Sequence, residues 1–417
     1  MLFKNIKYVD EDFSVRCGDV SVKGEKIAKI GNGIEPEGEV YDGKNKLLIP
    51  GLVNTHCHAA MTLMRGYGDG LDLEEWLFTK IFPFEDKMDD EAAYAGTLLG
   101  IAEMLAGGVT SFTDSYMFPE GVCRAILESG IKCNYGRPVS DFYDGELEDL
   151  RRFREGLLTK EKYDGANGGR LRIETDLHAV YTSSDNVMRR LANYIKMSDN
   201  NIRVHLAETE TEVNNCIEKY GKTPVGYFGG IGLFDTKCLA AHCVHLSDED
   251  LKIMKEKDVG VAHCPSSNLK LRSGIADVKR MVGEGLTVGI GTDGASSNNN
   301  LNMFEEMHLA ALLSSLPSKE IFKMATLNGA KLQNRNDTGV IKEGYRADLA
   351  VIDLDRAHLR PVNDEMSQLI YSAQASDVVL TMVDGEILYR DGKYKYFDLA
   401  DVIEKAEKEL ERIKSLL

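Results

Sequence analysis

His56 and His58 end an apolar run, Pro50-Gly51-Leu52-Val53-Asn54-Thr55-His56-Cys57-His58, and His205, His242 and Asp293 follow far downstream. On an extended strand the side chains at i and i+2 share a face, so His56 and His58 can offer two imidazole nitrogens to one metal ion. With nine histidines in 417 residues, chance gives roughly 0.2 His-x-His pairs, so the pair alone is a weak signal and its partners carry the argument. A hydrolytic metal centre needs one or two further ligands and an open position for water. His205 and Asp293 are the candidates.

Arg203-Val204-His205-Leu206-Ala207-Glu208 sets a carboxylate three residues after a strand-end histidine. From there Glu208 can reach a bound water or a substrate ring nitrogen without being a ligand, which is general acid/base placement. Taken alone, the motif reads more readily as a buried histidine beside a surface glutamate. His242, in Ala240-Ala241-His242-Cys243-Val244-His245, can bind metal directly or sit behind it and polarise the bound hydroxide. His245 reads as structural. Asp293 lies between glycines in Gly291-Thr292-Asp293-Gly294, which leaves space for close approach of a metal or ligand. The following Ser296-Ser297-Asn298-Asn299-Asn300 reads as a helix-capping loop.

The elements that must position these residues are legible as a pattern. Eight short β-prone runs alternate with longer helical stretches: 47–53, 109–114, 132–137, 171–179, 202–208, 238–244, 259–264 and 286–293. Such alternation marks βαβ units and a parallel sheet. Polar residues gather at the C-terminal ends of these runs, as at the mouth of a (β/α)₈ barrel. We therefore expect an α/β fold with a (β/α)₈ TIM-like barrel over residues 51–343. Residues 1–50 and 344–395 carry short alternating segments such as Asp19-Val20-Ser21-Val22 and Asp348-Leu349-Ala350-Val351-Ile352, and predict one small β-sandwich subdomain built from both chain ends. Residues 396–417 predict an amphipathic helix packed on its own chain.

Composition bounds the partners. A hydrophobic content of 43% and a charged content of 28% are those of an ordinary globular protein. A net charge of −17 opposes binding to polyanions, so no nucleic-acid partner is expected. Eight cysteines without a CxxC pair fit free thiols in a reducing cytoplasm. The start lacks the apolar region of a signal peptide, and no run approaches the roughly 18 apolar residues of a membrane span, so a cytoplasmic protein without a membrane partner is expected. Homo-oligomerisation stays open.

The chain resembles the amidohydrolase superfamily, most closely the 5′-methylthioadenosine/S-adenosylhomocysteine deaminases, through Pro50–His58, Met61–Arg65, Thr110–Asp114, His205–Glu208, Ala240–Leu246, Ser266–Leu271, Gly291–Asn300 and Gly344–Asp353. The resemblance implies one divalent metal, zinc in first place, held by His56, His58, His205 and Asp293. Binuclear relatives bridge two metals with a lysine from the fourth strand, whereas this chain has Thr175-Asp176-Leu177-His178-Ala179 there. It further implies hydrolytic loss of the adenine 6-amino group from a small-molecule nucleoside, with Glu208 protonating the ring nitrogen and Asp293 and His242 managing the protons of the attacking water. Glu85 corresponds to a ribose contact, Arg137 to a contact with the far end of the substrate, and His178 to a wall of the base pocket. Without the resemblance, Glu85 reads as a solvated helix-end carboxylate and His178 as a satisfied strand-end histidine.

Trp76, the only tryptophan, fits equally a stacking partner for the ligand or a core anchor. Asp114 reads as structural, and His263 with Cys264 as pocket wall or packing. The family's second arginine, after the third strand, is matched here by the acidic Asp144-Gly145-Glu146-Leu147-Glu148. Arg151 or Arg152 takes its place only if that loop folds differently, so neutral 5′-modified adenosines such as methylthioadenosine or 5′-deoxyadenosine are favoured over S-adenosylhomocysteine. The rival reading is a sister hydrolase acting on another amino- or chloro-heterocycle such as guanine or a triazine. The His-x-Glu and Pro-Cys-x-x-Cys arrangement of polynucleotide deaminases is absent.

Overall fold

Parallel strands alternate with helices through the middle of the chain in the computed structural model, which describes residues 1–198 and 200–417. The strands are Leu52–His58, Val109–Ser115, Lys132–Gly136 with Pro138–Val139, Leu171–Ile173 with Thr175–Leu177, Ile202–Leu206, Cys238–His242, Gly260–His263, and Val288–Ile290 with Asp293–Gly294. Val109–Ser115, Ile202–Leu206 and Cys238–His242 are buried at every position, as parallel strands must be when helices cover them.

The third, fourth and eighth strands are each interrupted, at Arg137, Glu174 and Gly291-Thr292 respectively. Pro138 has no N–H to extend a ladder, which is one physical cause of the first break. The hydrogen bonding consequently runs as two parallel sheets. Five strands order as 171–173, 132–136, 109–115, 52–58 and 293–294, and six as 288–290, 260–263, 238–242, 202–206, 175–177 and 138–139. The interrupted strands pass from one sheet to the other. Register does the important work: Asp293 lies opposite Cys57, the residue between His56 and His58, and Leu206 lies opposite His242.

The first run divides differently from the expected 47–53. Lys46–Pro50 pairs with Leu349–Asp353 in the terminal sheet, and the first parallel strand starts at Leu52. The chain changes sheets at Gly51, where an added Cβ would lie 2.2 Å from the Thr110 side chain, so only glycine permits the crossing. Both chain ends enter one nine-stranded sheet: Leu2–Val9, Val15–Lys23, Lys26–Gly31, Val40–Asp42 and Lys46–Pro50, with Leu349–Asp353, Val378–Val383, Glu386–Arg390 and Lys393–Tyr394. The Ile27 N–H donates to the Tyr345 carbonyl and the Ala347 N–H to the Glu25 carbonyl, which returns the sheet onto itself around Phe3, Ile6, Val20, Leu349 and Met382. Lys132 is buried between Asp348 (2.5 Å) and Asp384 (2.7 Å) and ties this sheet to the third parallel strand. A buried cation needs such partners.

The terminal helix Leu399–Lys414 buries Val402, Ala406 and Ile413 and lies against the helix Asp90–Ala106. Arg412 meets Asp89 at 3.0 Å. No helix among the described residues is long and apolar enough to cross a membrane.

One buried carboxyl organises the loops around the eighth strand. Glu306, on the helix Met303–Ser314, accepts from the Ser266 N–H (3.2 Å) and from Asn298 Nδ2 (2.8 Å). Burial pushes this carboxyl up to about 8. The folded state therefore keeps a proton that the unfolded chain releases near pH 4.5, so the stability this group contributes is full below that pH and is lost as pH rises towards about 8. Glu306→Gln is expected to flatten the fall in melting temperature across this window; an unchanged slope would reject the assignment.

Candidate active site

The end of the first strand supplies His56 and His58, the fifth His205, the sixth His242 and the eighth Asp293. His58 Nδ1 donates to the Ser115 carbonyl, and His205 Nδ1 donates to the His178 carbonyl at 2.8 Å. With both Nδ1 atoms protonated for these bonds, both Nε2 atoms carry lone pairs, yet they face each other at 3.3 Å. Two lone pairs at that distance repel unless a cation lies between them. Asp293 Oδ1 stands 3.2 Å from His58 Nε2 and 3.4 Å from His56 Nε2. Among the described residues, His56 Nε2 and Asp293 Oδ1 are buried without a hydrogen-bond partner.

Electrostatics agree with the geometry. Burial lowers the proton affinity of His56 and His58 and takes His205 down to about 4, so the imidazoles are neutral at neutral pH. Burial works in the opposite direction on Asp293, but the neighbouring His56 and His58 hold it well below the ordinary carboxylate range. Neutral imidazoles beside an ionised carboxylate are the protonation states a divalent metal requires. Backbone conformation aims these groups: His242 has φ 69° and Asp293 φ 58°, left-handed values that cost non-glycine residues on the order of 1–3 kcal/mol each.

Glu208, directly after the fifth strand, is buried beside this cluster. Its Oε1 accepts from Ser273 Oγ (3.3 Å), and its Oε2 lies 3.8 Å from His242 Nε2. The Glu208 N–H donates to the Glu212 carboxylate at 2.7 Å, which anchors the turn. Burial pushes the Glu208 carboxyl up to about 7. Near neutrality it can thus both give and take a proton.

A cavity of about 760 Å³ opens above these groups, large enough for a small organic ligand. His58, Trp76, Glu85, Arg137, His178, His205, Glu208, His242 and Asp293 all line it, and His56 lies just beneath, along a separate small void. Glu85 ends the short helix Phe82–Glu85 and is buried, which pushes its carboxyl up to about 7. It is therefore no solvated helix end. Arg137 is held by Glu155 (2.9 Å) and by the Pro138 carbonyl (3.1 Å). His178 Nδ1 lies 3.1 Å from Thr182 Oγ1. Trp76 is 3% exposed, so it is a core anchor and a cavity wall at once. Asp114 accepts from the Ala59 N–H at 2.8 Å and stays outside the cavity lining, as do the buried His263 and Cys264.

Two expectations need correction. The acidic stretch after the third strand stays out of the cavity lining, and its Glu146 is engaged by Arg190 at 2.8 Å. Arg151 and Arg152, at the start of the helix Arg151–Tyr163, both reach the cavity lining that includes Arg137, and Arg152 donates to the Ser140 carbonyl and hydroxyl. Secondly, Ser296–Asn300 is more than a capping loop. The helix that follows is capped by Asn302, and Ser297 Oγ instead donates to Asp293 Oδ2 at 2.6 Å. Tyr116 and Tyr181 line the cavity without having been singled out. Tyr116 directly follows the strand Val109–Ser115, which was an available signal, whereas Tyr181 lies in the short helix Val180–Thr182.

A family profile for the amidohydrolases matches residues 47–388. The chain is 43% identical over 377 residues to the 5-methylthioadenosine/S-adenosylhomocysteine deaminase of Dictyoglomus thermophilum, covering 88% of each chain. It is 42% identical over 415 residues to the 5′-deoxyadenosine deaminase of Methanocaldococcus jannaschii, covering 95% of this chain and 97% of the relative. A crystal structure of an adenosine deaminase from Xanthomonas campestris with bound zinc superposes with a TM-score of 0.93 at 28% identity, over 99% of this chain and 98% of that one. With the profile spanning most of the sequence and the fold shared from end to end, this chain belongs to the amidohydrolase family.

Proposed function

We propose that this protein hydrolytically deaminates 5′-modified adenosines, releasing the corresponding inosine and ammonia. The observation that carries this reading is the convergence of three neutral imidazoles and one ionised carboxylate, with unpartnered atoms facing each other, beside the raised carboxyl of Glu208. The activities named for its relatives at 42% and 43% identity point the same way. His56, His58, His205 and Asp293 would hold one divalent ion, zinc in first place, and their unpartnered donor atoms fit it. When bound, that ion supplies an activated water at neutral pH.

The remaining steps belong to the chain. Glu208, carrying its proton near pH 7, donates it to the ring nitrogen next to the amino-bearing carbon. His242 Nε2 and Asp293 accept the two protons of the attacking water as its oxygen bonds to that carbon; one passes to the amino group, which leaves as ammonia when its bond to the carbon breaks, and the other returns to Glu208. Water is consumed and no redox partner is needed. Glu85 accepts from the ribose hydroxyls, His178 and Trp76 flank the base, and Arg137 with Arg152 faces the 5′ substituent. Two guanidiniums there restore S-adenosylhomocysteine, with its carboxylate, to the substrate class beside methylthioadenosine and 5′-deoxyadenosine.

The architecture we attach to this reading is a (β/α)₈ barrel over residues 51–343, a composite β-sandwich subdomain from 1–50 and 344–395, and a terminal helix in 396–417. It would work in the cytoplasm on a small-molecule substrate.

The test is ammonia release, followed with the adenine-to-hypoxanthine absorbance change, on adenosine, methylthioadenosine, 5′-deoxyadenosine, S-adenosylhomocysteine and guanine. Preference for a 5′-modified adenosine is expected. Arg152→Ala should raise KM for S-adenosylhomocysteine about tenfold or more while sparing methylthioadenosine, because only the former offers a carboxylate to pair. Silence of the metal-loaded enzyme on every adenosine would move the chain to a sister heterocycle hydrolase.

A further inference from the structure

The connection after the seventh strand touches every group assigned a proton-handling role. Gly260–His263 contributes no residue to the cavity lining. The chain then turns through Cys264 into the short helix Pro265–Lys270 and on to Ser273. Ser267 Oγ donates to Asp293 Oδ2 at 2.6 Å, His242 Nδ1 donates to Asn268 Oδ1 at 2.9 Å, and Ser273 Oγ donates to Glu208 Oε1 at 3.3 Å. Ser267, Asn268 and Ser273 are buried and stay outside the cavity lining. They reach the chemistry only through their partners.

Each bond decides which atom of its partner stays free. Asp293 Oδ2 is taken by the hydroxyls of Ser267 and Ser297, both at 2.6 Å, so Oδ1 alone is left to face His56 and His58. Asn268 holds the proton of His242 on Nδ1, so Nε2 presents a lone pair on the Glu208 side. Ser273 engages Glu208 Oε1 and leaves Oε2 turned towards His242. The segment is itself fastened: His245 Nε2 donates to the Ser273 carbonyl at 2.7 Å, and Lys270 Nζ donates to the Ser296 carbonyl at 2.9 Å. The three partners come from three different strands, and this one segment contacts all of them.

We propose that residues 267–273 are an orienting brace, in which Asn268, Ser267 and Ser273 are positioning residues that set the tautomer of His242 and the free oxygens of Asp293 and Glu208. The inference rests on the deaminase reading. Its test uses the metal-loaded full chain and two readouts, steady-state kinetics and ¹⁵N NMR of the histidine rings. Asn268→Ala should lower kcat about 10- to 100-fold, with KM and bound metal unchanged. The His242 Nε2 resonance should lose the signature of an unprotonated nitrogen in a fixed tautomer. Asn268→Asp, which keeps an acceptor at the same place, should recover most of the rate and the NMR pattern.

Ser273→Ala provides a second variant should the Asn268 changes disturb folding. It removes one bond at Glu208 and should lower kcat several-fold with KM unchanged. An Asn268→Ala enzyme with metal bound, kcat within about twofold of wild type and an unaltered His242 pattern would overturn the brace, since lost orienting bonds of this kind cost more. The NMR pattern does not depend on the substrate, so wild-type silence on the adenosine panel beside a Nδ1-protonated His242 would reject the deaminase reading and leave the brace standing.

Discussion

Replacing Glu208 with Gln is expected to lower kcat by about 10²- to 10⁴-fold while the protein keeps its metal. The amide retains the shape and the hydrogen bond to Ser273 but cannot exchange a proton with the purine ring. Burial is the main reason the wild-type carboxyl sits at about 7. Below that pH Glu208 carries the proton that the proposed mechanism has it donate, and above it the proton is lost, so kcat should fall as pH rises through about 7. In the Gln variant this alkaline limb should vanish from the residual rate. The check pairs a pH–rate profile with metal analysis. A variant that retains more than about a tenth of wild-type turnover would remove Glu208 from the chemistry, because general acid catalysis contributes far more than that.

Stripping the divalent ion should abolish turnover and lower thermal stability together. The cluster places two unprotonated ring nitrogens 3.3 Å apart and, among the described residues, leaves His56 Nε2 and Asp293 Oδ1 buried without partners. A cation relieves both costs, so its removal leaves repulsion and unsatisfied groups in the folded state. Chelated protein should melt several degrees lower, and added zinc should restore melting temperature and activity in the same titration. His205→Ala should behave as the chelated protein does, with metal content well below one ion per chain. A metal-free preparation with undiminished turnover would end the metal-dependent reading.

Much of this molecule is readable one element at a time. Period-two spacing puts His56 and His58 on one strand face, and the alternation of β-prone runs with helical stretches sets His205, His242 and Asp293 at strand ends. Those properties are local, because they follow from the repeat geometry of the strand and from the burial that continuous apolar runs require. The amphipathic spacing of Val402, Ala406 and Ile413 is local in the same sense, and these residues are buried against the chain as their period implies.

Arg152 was not readable in this way. Whether it enters the cavity depends on Arg190 engaging Glu146 and on Ser140 receiving the guanidinium. The division at Gly51 was hidden too, since Lys46–Pro50 and Leu52–His58 form one apolar run in sequence and separate only because Leu349–Asp353 claims the first part. The hydrogen-bond partners of Asp293, His242 and Glu208 belong with these. Ser267, Asn268 and Ser273 have no periodic signature, and their value arises when Asp293, His242 and Glu208 arrive from other strands. By itself the sequence determined the chemical types, the strand ends that carry them and the α/β class. Only the tertiary structure decided which atoms face each other, because hydrogen-bond partnership depends on distances of a few ångströms between residues tens or hundreds of positions apart, and no local repeat encodes that.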